Sequence, residues 1–232
     1  PSQTSTESVD AVSRFVERIG KAALPPKWAF GLWMSSNEWN SQAVVAEQVA
    51  LTERHGIPAT ALVIEAWSDE STFYIWNDAR YRPRPGAECH RLADFTFPAE
   101  GLWPDPKGMV DDLHRRGVHL VLWQIPVLKK LETPHAQQDA DRAHAVEAGL
   151  VVREANGDEP YLIRPFWFHD GYVPDFTSAE ADRWWRAKRQ YLIDDLGVDG
   201  FKTDGAEHLW GEGLKFSDGR IGAEVNNLFP NL

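Results

Sequence analysis

Asp204 follows Gly197-Val198-Asp199-Gly200-Phe201-Lys202-Thr203, a short stretch bounded by glycines that reads as a buried strand ending on a carboxylate. In α/β barrels the carboxyl ends of the strands form the rim where catalytic groups sit, so an aspartate there is a candidate nucleophile. Lys202, two residues earlier, falls on the same face by strand alternation, and a nearby ammonium favours an ionised carboxylate. The competing reading is a strand-end aspartate that caps the next helix or accepts loop amides. Glu207 lies three residues beyond Asp204 and reads as a supporting carboxylate, since like charge so close disfavours ionisation of both unless a cation compensates.

Other chemistries find less to work with. His169-Asp170 and Glu207-His208 lack the helical spacing of a hydrolytic zinc site, so no metal is expected. Gly211-Glu212-Gly213 lacks the third glycine of a dinucleotide fingerprint, and no cofactor is expected. There is no Gly-x-Ser-x-Gly elbow, and Ser35-Ser36 has no identifiable paired base. Cys89 is the sole cysteine, which rules out an intrachain disulfide, a thiolate metal site and a redox pair. Asp94, Asp105 and Asp175 sit in turn contexts and read as caps. Eleven tryptophans are many for 232 residues, and Trp33, Trp67, Trp123 and Trp210 fall near strand ends. Such rings supply core area by default, and at a strand end they also offer flat platforms for the C–H faces of sugars.

These residues need a scaffold, and the chain describes one. With 43% hydrophobic residues it holds enough for a sizeable core. Acidic residues number 35 against 24 basic ones, for a formal charge of -11, and no basic run offers a nucleic-acid groove. No apolar run has membrane-spanning length and no signal peptide is visible; the start at Pro1 without methionine reads as an excerpt of a longer chain, and localisation stays open. Val9, Val12, Val16 and Ile19 recur at helical spacing up to Gly20, and Trp28 to Met34 alternates as a first strand. Ser41 caps a helix to His55; Ala59 to Ile64 is an apolar strand covered on both faces, with Glu65 at its end. The stretch from Glu65 to Pro106 is a long loop fit to build a pocket wall. Lys107 to Arg116 reads as a helix and His119 to Trp123 as a third strand. An insertion follows at about residues 130–172, with a helix from Pro134 to Ala148 and a hairpin of Val151–Arg153 and Tyr161–Ile163 about Asn156-Gly157. Ser178 caps a helix to Leu196, and the fourth strand delivers Asp204. Four strands with intervening helices make the first half of a (β/α)8 TIM barrel, whose full form takes about 250 residues. Residues 1–232 are read as one partial catalytic domain, with the rest of the barrel as its partner in the parent chain and poor solubility expected of the half alone.

Phe201-Lys202-Thr203-Asp204 with Glu207, Ala23 to Gly31, Phe97-Pro98 through Trp103-Pro104-Asp105-Pro106-Lys107-Gly108-Met109, and Asp175-Phe176-Thr177 occur in that order. Together they resemble glycoside hydrolase family 31, the retaining α-glycosidases. The resemblance implies hydrolysis of α-linked glucosides, xylosides or galactosides through a covalent glycosyl-enzyme on Asp204. Retention requires two carboxyl groups about 5 to 5.5 Å apart, and by the resemblance the acid lies past Leu232. Glu65 stands where the family commonly carries an aspartate that holds sugar hydroxyls; the added methylene changes which hydroxyl is read. Trp123 resembles the tryptophan that ends the third strand and lines the sugar pocket, and Trp33, Trp67 and Lys202 join it as substrate-binding candidates. The Lys-Thr-Asp form is similar to the α-xylosidase, α-galactosidase and transglycosylase branches. Transglycosylation, a carbohydrate-binding barrel that has lost catalysis, and an unrelated metal-dependent barrel enzyme remain the rivals.

Overall fold

The computed structural model describes residues 3–20, 23–157, 159–164 and 167–232. The chain forms two compact units, Pro1–Gly31 and Leu32–Leu232. In the first, α1 spans Gln3–Ile19 and a single 3-10 turn covers Lys27–Phe30. That turn replaces the expected start of a strand at Trp28: Pro25-Pro26 leads into it, and the Gly31 amide closes it by donating to the Trp28 carbonyl at 3.0 Å.

The second unit holds a four-stranded parallel sheet in the order β1 (Leu32–Ser36), β2 (Ala59–Ile64), β3 (His119–Gln124) and β4 (Gly200–Thr203). Between the strands run α2 (Gln42–Arg54), α3 (Pro106–Arg115), α4 (Ala136–Glu147) and α5 (Ala179–Asp194). The helix starts follow side-chain chemistry. Ser41, Asp105 and Ser178 each accept an amide of the first turn, from Val44 (3.4 Å), Gly108 (2.8 Å) and Ala181 (3.4 Å). A short α6 spans Gly222–Val225.

Alternation divides the sheet. Leu62, Ile64, Leu120 and Leu122 are buried against Val45 and Val49 of α2, Val110 and Leu113 of α3, and Tyr191 and Leu192 of α5. Each such side chain contributes about 1.5–3 kcal/mol by leaving water. Ala61, Val63, Val121 and Trp123 take the opposite face, and register pairs Trp123 with Lys202 and Gln124 with Thr203.

The long loop between β2 and α3 is fastened from within. Trp76 packs edge-on against both Trp67 and Trp103, with ring centroids 5.1 Å apart in each case. Lys188 of α5 is 1% exposed and donates to the Glu88 carbonyl (2.7 Å), with Asp141 of α4 at 3.1 Å. Tyr74 donates to the other oxygen of Asp141 (2.5 Å), and burial, aided by that carboxylate, pushes its phenol well above the usual range. Arg189 is buried over the Trp185 ring and donates to Gln124 Oε1 (2.7 Å) and the Thr72 carbonyl (3.1 Å).

Between β3 and α5, the hairpin expected about Asn156-Gly157 reduces to isolated bridges. Arg153 bridges Pro160 and also Lys215, while the Val152 amide donates to Val173 (2.9 Å). Among the described residues the segment divides its hydrogen bonds among three neighbours and forms no continuous two-stranded ladder. Asp158 of that turn lies outside the described residues.

Candidate active site

All four strands run parallel, so Ser36, Glu65, Gln124 and Asp204 arrive at one edge of the sheet. Asp204 is half-buried one residue past β4, and its backbone amide still donates to the Gln124 carbonyl (2.9 Å), which continues the ladder. Its carboxylate is held at both oxygens. Trp123 Nε1 donates to Oδ2 at 3.1 Å, and the Gly205 amide donates to Oδ1 at 2.9 Å. Gly205 has φ +66°, and a β-carbon there would lie 3.0 Å from His208 Nε2 and 3.2 Å from Ile125. Both facts reserve the position for glycine, whose turn aims the amide back at the carboxylate.

Lys202 shares the face of Asp204, as alternation requires, but its ion pair is with Glu65, Nζ to Oε1 at 2.7 Å. The sequence reading gave this ammonium to Asp204; the long side chain instead reaches across to the end of β2, and neutral donors hold Asp204. The same Glu65 oxygen accepts the Ser35 hydroxyl at 3.0 Å. Glu207 is exposed beyond the turn.

Trp123 carries one wall. Its ring meets Phe73 edge-on (5.5 Å) and stacks near Trp167 (6.1 Å, 27°). Phe73 and Phe168, themselves 6.1 Å apart, have φ of 54° and 62°. A left-handed backbone costs a residue with a β-carbon about 1–2 kcal/mol, and the packing of these rings around Trp123 and Trp167 holds them there. Trp167 is 44% exposed and stacks beside Trp123, the carboxylate's donor. It was missed in the sequence because it belongs to no strand; its signal was only the aromatic run Phe166-Trp167-Phe168.

Trp67 corrects an expectation. It is fully buried, and its indole donates to the Trp123 carbonyl at 2.8 Å. Its ring therefore has no face for a sugar and supports Trp123 from below. Trp33 pairs in register with Ala61, two positions before Ser35, and is 41% exposed, so it shares the face but lies toward the start of β1. Trp210 is 58% exposed past the Asp204 turn. His208, not singled out as a site residue, is buried with Nε2 unpartnered, and burial pulls its pKa down against the opposing charges of Glu207 and Asp204. Asp175 caps the turn before α5 through Thr177 and binds Ser217 (2.6 Å), as a structural carboxylate.

A cavity of about 500 Å³ lined by Gln124, Arg189, Phe201 and Thr203 runs along the outer side of β4 and excludes Asp204. The carboxylate site is a rim, with one edge formed by β4, the last strand of the sheet.

Comparison with known proteins agrees with the half-barrel fold. The chain is 46% identical to an isomaltosyltransferase of Sporosarcina globispora over 96% of its length and 20% of that protein's. It is 46% identical to a 1,3-alpha-isomaltosidase of Kribbella flavida over 93% of its own length and 30% of the relative's. The structure of a cycloalternan-degrading enzyme from Trueperella pyogenes in complex with a covalent intermediate superposes with a TM-score of 0.90 at 46% identity, over 94% of this chain and 30% of that one. The chain thus spans about a fifth to a third of the length of these relatives. The sequence profile described as the glycosyl hydrolases family 31 TIM-barrel domain matches residues 22–231, so the chain belongs to that family.

Proposed function

We propose that Asp204 is the nucleophile of a retaining α-glycosidase whose substrates carry α-linked glucosyl units of the isomaltosyl kind. The observation that carries the reading is the carboxylate at the end of β4, with one oxygen on the Trp123 indole and the other on the Gly205 amide. Two fixed donors leave each oxygen a lone pair and set its direction of attack. An oxygen of Asp204 bonds to the anomeric carbon as the glycosidic C–O bond breaks, and a second carboxylic acid from the remainder of the barrel protonates the departing oxygen. Water, deprotonated by that same group, then cleaves the glycosyl ester. Glu65 and Lys202, joined at 2.7 Å, bind hydroxyls of the sugar in the cleaved position, and Trp123 and Trp167 provide its apolar walls. The isomaltosyl preference draws on the names of the two relatives at 46% identity.

Transfer is the second reading. It is favoured by the isomaltosyltransferase and by a cycloalternan-forming enzyme from Listeria monocytogenes, 43% identical at a TM-score of 0.91. In that case a sugar hydroxyl takes the place of water, and product analysis with and without added acceptor sugar separates the two.

Asp204→Asn in the full-length protein is expected to lower kcat by at least roughly 10³-fold, because a neutral amide cannot attack. A fluorinated glucosyl fluoride should label the peptide that contains Asp204 in the wild type. Turnover retained by the variant, or label on another residue, refutes the assignment.

A further inference from the structure

We propose that His114, His119 and Asp199 form a binding site for one divalent transition-metal ion of the zinc class, at the end of the sheet opposite Asp204. His114 leaves the last turn of α3, His119 opens β3, and Asp199 immediately precedes β4. Two imidazoles converge on one carboxylate: His114 Nε2 lies 2.8 Å from Asp199 Oδ2, and His119 Nδ1 lies 2.6 Å from Oδ1. All three potential ligand atoms fall within 4.8 Å of one another.

The carboxylate is fixed by backbone. The Leu120 amide donates to Asp199 Oδ2 (2.8 Å), and the Asp199 amide donates to the Leu120 carbonyl (2.9 Å). Burial pushes the Asp199 carboxyl up, yet the hydrogen bonds from His119, His114 and Leu120 outweigh it and hold the group below the usual range. The acceptor is therefore ionised, as a metal ligand must be. The side chains are 35%, 29% and 17% exposed for His114, His119 and Asp199, so an ion can enter from solution.

The required adjustment is small. Ligands 2.0–2.1 Å from a tetrahedral ion stand about 3.3 Å apart. The two imidazole–carboxylate pairs would widen by about 0.5 and 0.7 Å, through side-chain rotation on three backbones that stay fixed. Binding replaces the shared imidazole protons and leaves a fourth position for water. Two imidazoles with one carboxylate suit zinc, cobalt, nickel or copper better than calcium or magnesium, which prefer all-oxygen shells. The six residues of β3 place the site about 17 Å from the carboxylate rim, so the ion would staple α3 to the starts of β3 and β4 and take no part in glycoside cleavage.

The test uses the full-length protein, stripped with chelator and titrated with ZnCl₂ by calorimetry and with CoCl₂ by visible absorption. The wild type should bind one zinc ion at this cluster, gain thermal stability from it, and give cobalt bands of a four-coordinate site. His114→Gln and His119→Gln should each weaken zinc binding by at least about 100-fold, the upper end of what losing even an outer-shell partner costs. Asp199 is left intact because it ties β3 to β4. Should His119→Gln fail to fold, His114→Gln at the exposed end of α3 carries the test. Zinc binding that is absent in the wild type, or unchanged in the folded variant, overturns the proposal.

Discussion

Shortening Glu65 by one methylene tests whether it works with Lys202 as a unit. Glu65→Asp withdraws the carboxylate by about one carbon–carbon bond, 1.5 Å. With the backbone fixed, the Lys202 contact stretches from 2.7 to about 4.2 Å and the Ser35 contact from 3.0 to about 4.5 Å. Neither survives as a hydrogen bond. A hydrogen bond to a charged group is worth about 1.5–3 kcal/mol, and the 41% exposure of Lys202 lets water recover part of it, which points to the lower bound. A loss of about 1.5 kcal/mol is roughly tenfold in kcat/KM. The assay is steady-state hydrolysis of an isomaltosyl substrate by the full-length wild type, Glu65→Asp, Lys202→Met and the double variant. If the pair holds one sugar between them, the three variants should lose similar amounts, because breaking the pair once removes what each contributes. Independent losses that multiply to about 100-fold in the double variant refute the coupling, and wild-type kcat/KM in Glu65→Asp refutes the role of the contact altogether.

Gly205→Ala should destabilise the protein by about 1–2 kcal/mol, since alanine disfavours the left-handed backbone at φ +66°; it should also lower kcat, as the amide that holds Asp204 shifts, and a wild-type melting temperature with full activity counts against this account. His208 supplies a pH dependence. Its folded pKa lies below the unfolded value of about 6.5 because burial disfavours the imidazolium. Its contribution to stability is then fully present above that value and is lost as pH falls through it toward the folded pKa. Between about pH 7.5 and about pH 5.5, the wild type should lose more stability to denaturant than His208→Leu. Parallel curves would show that the buried imidazole does not titrate in this way.

Much of the scaffold was legible in the residues because local signals agreed with the tertiary outcome. Ala59 to Ile64 carries no polar residue to face water except Thr60, and it is a parallel strand. Ser41, Asp105 and Ser178 announced helix starts that the structure has. The first strand was read four residues early, because alternation from Trp28 cannot tell which residues β2 will pair with, and the register selects Leu32–Ser36. Within the site, alternation correctly put Lys202 beside Asp204 on one face, yet the length of a lysine lets it choose a partner 137 residues away. The same limit hid the support of Trp123 by Trp67, and the meeting of His119 with Asp199 across 80 residues. Composition names aromatic rings; only packing says which of them, such as Trp67, has no surface left.

The buried Lys188 that fastens the β2–α3 loop constrains how this barrel can be re-engineered. Any chimera that imports the loop from a relative would leave an ammonium at 1% exposure facing foreign backbone, with Asp141 as its remaining counter-charge. Leaving a buried charged donor without its carbonyl acceptors costs about 1–3 kcal/mol, with a charged group at the upper end. Grafts of this wall should therefore carry the matching positions of α4 and α5 with them, as a three-part cassette.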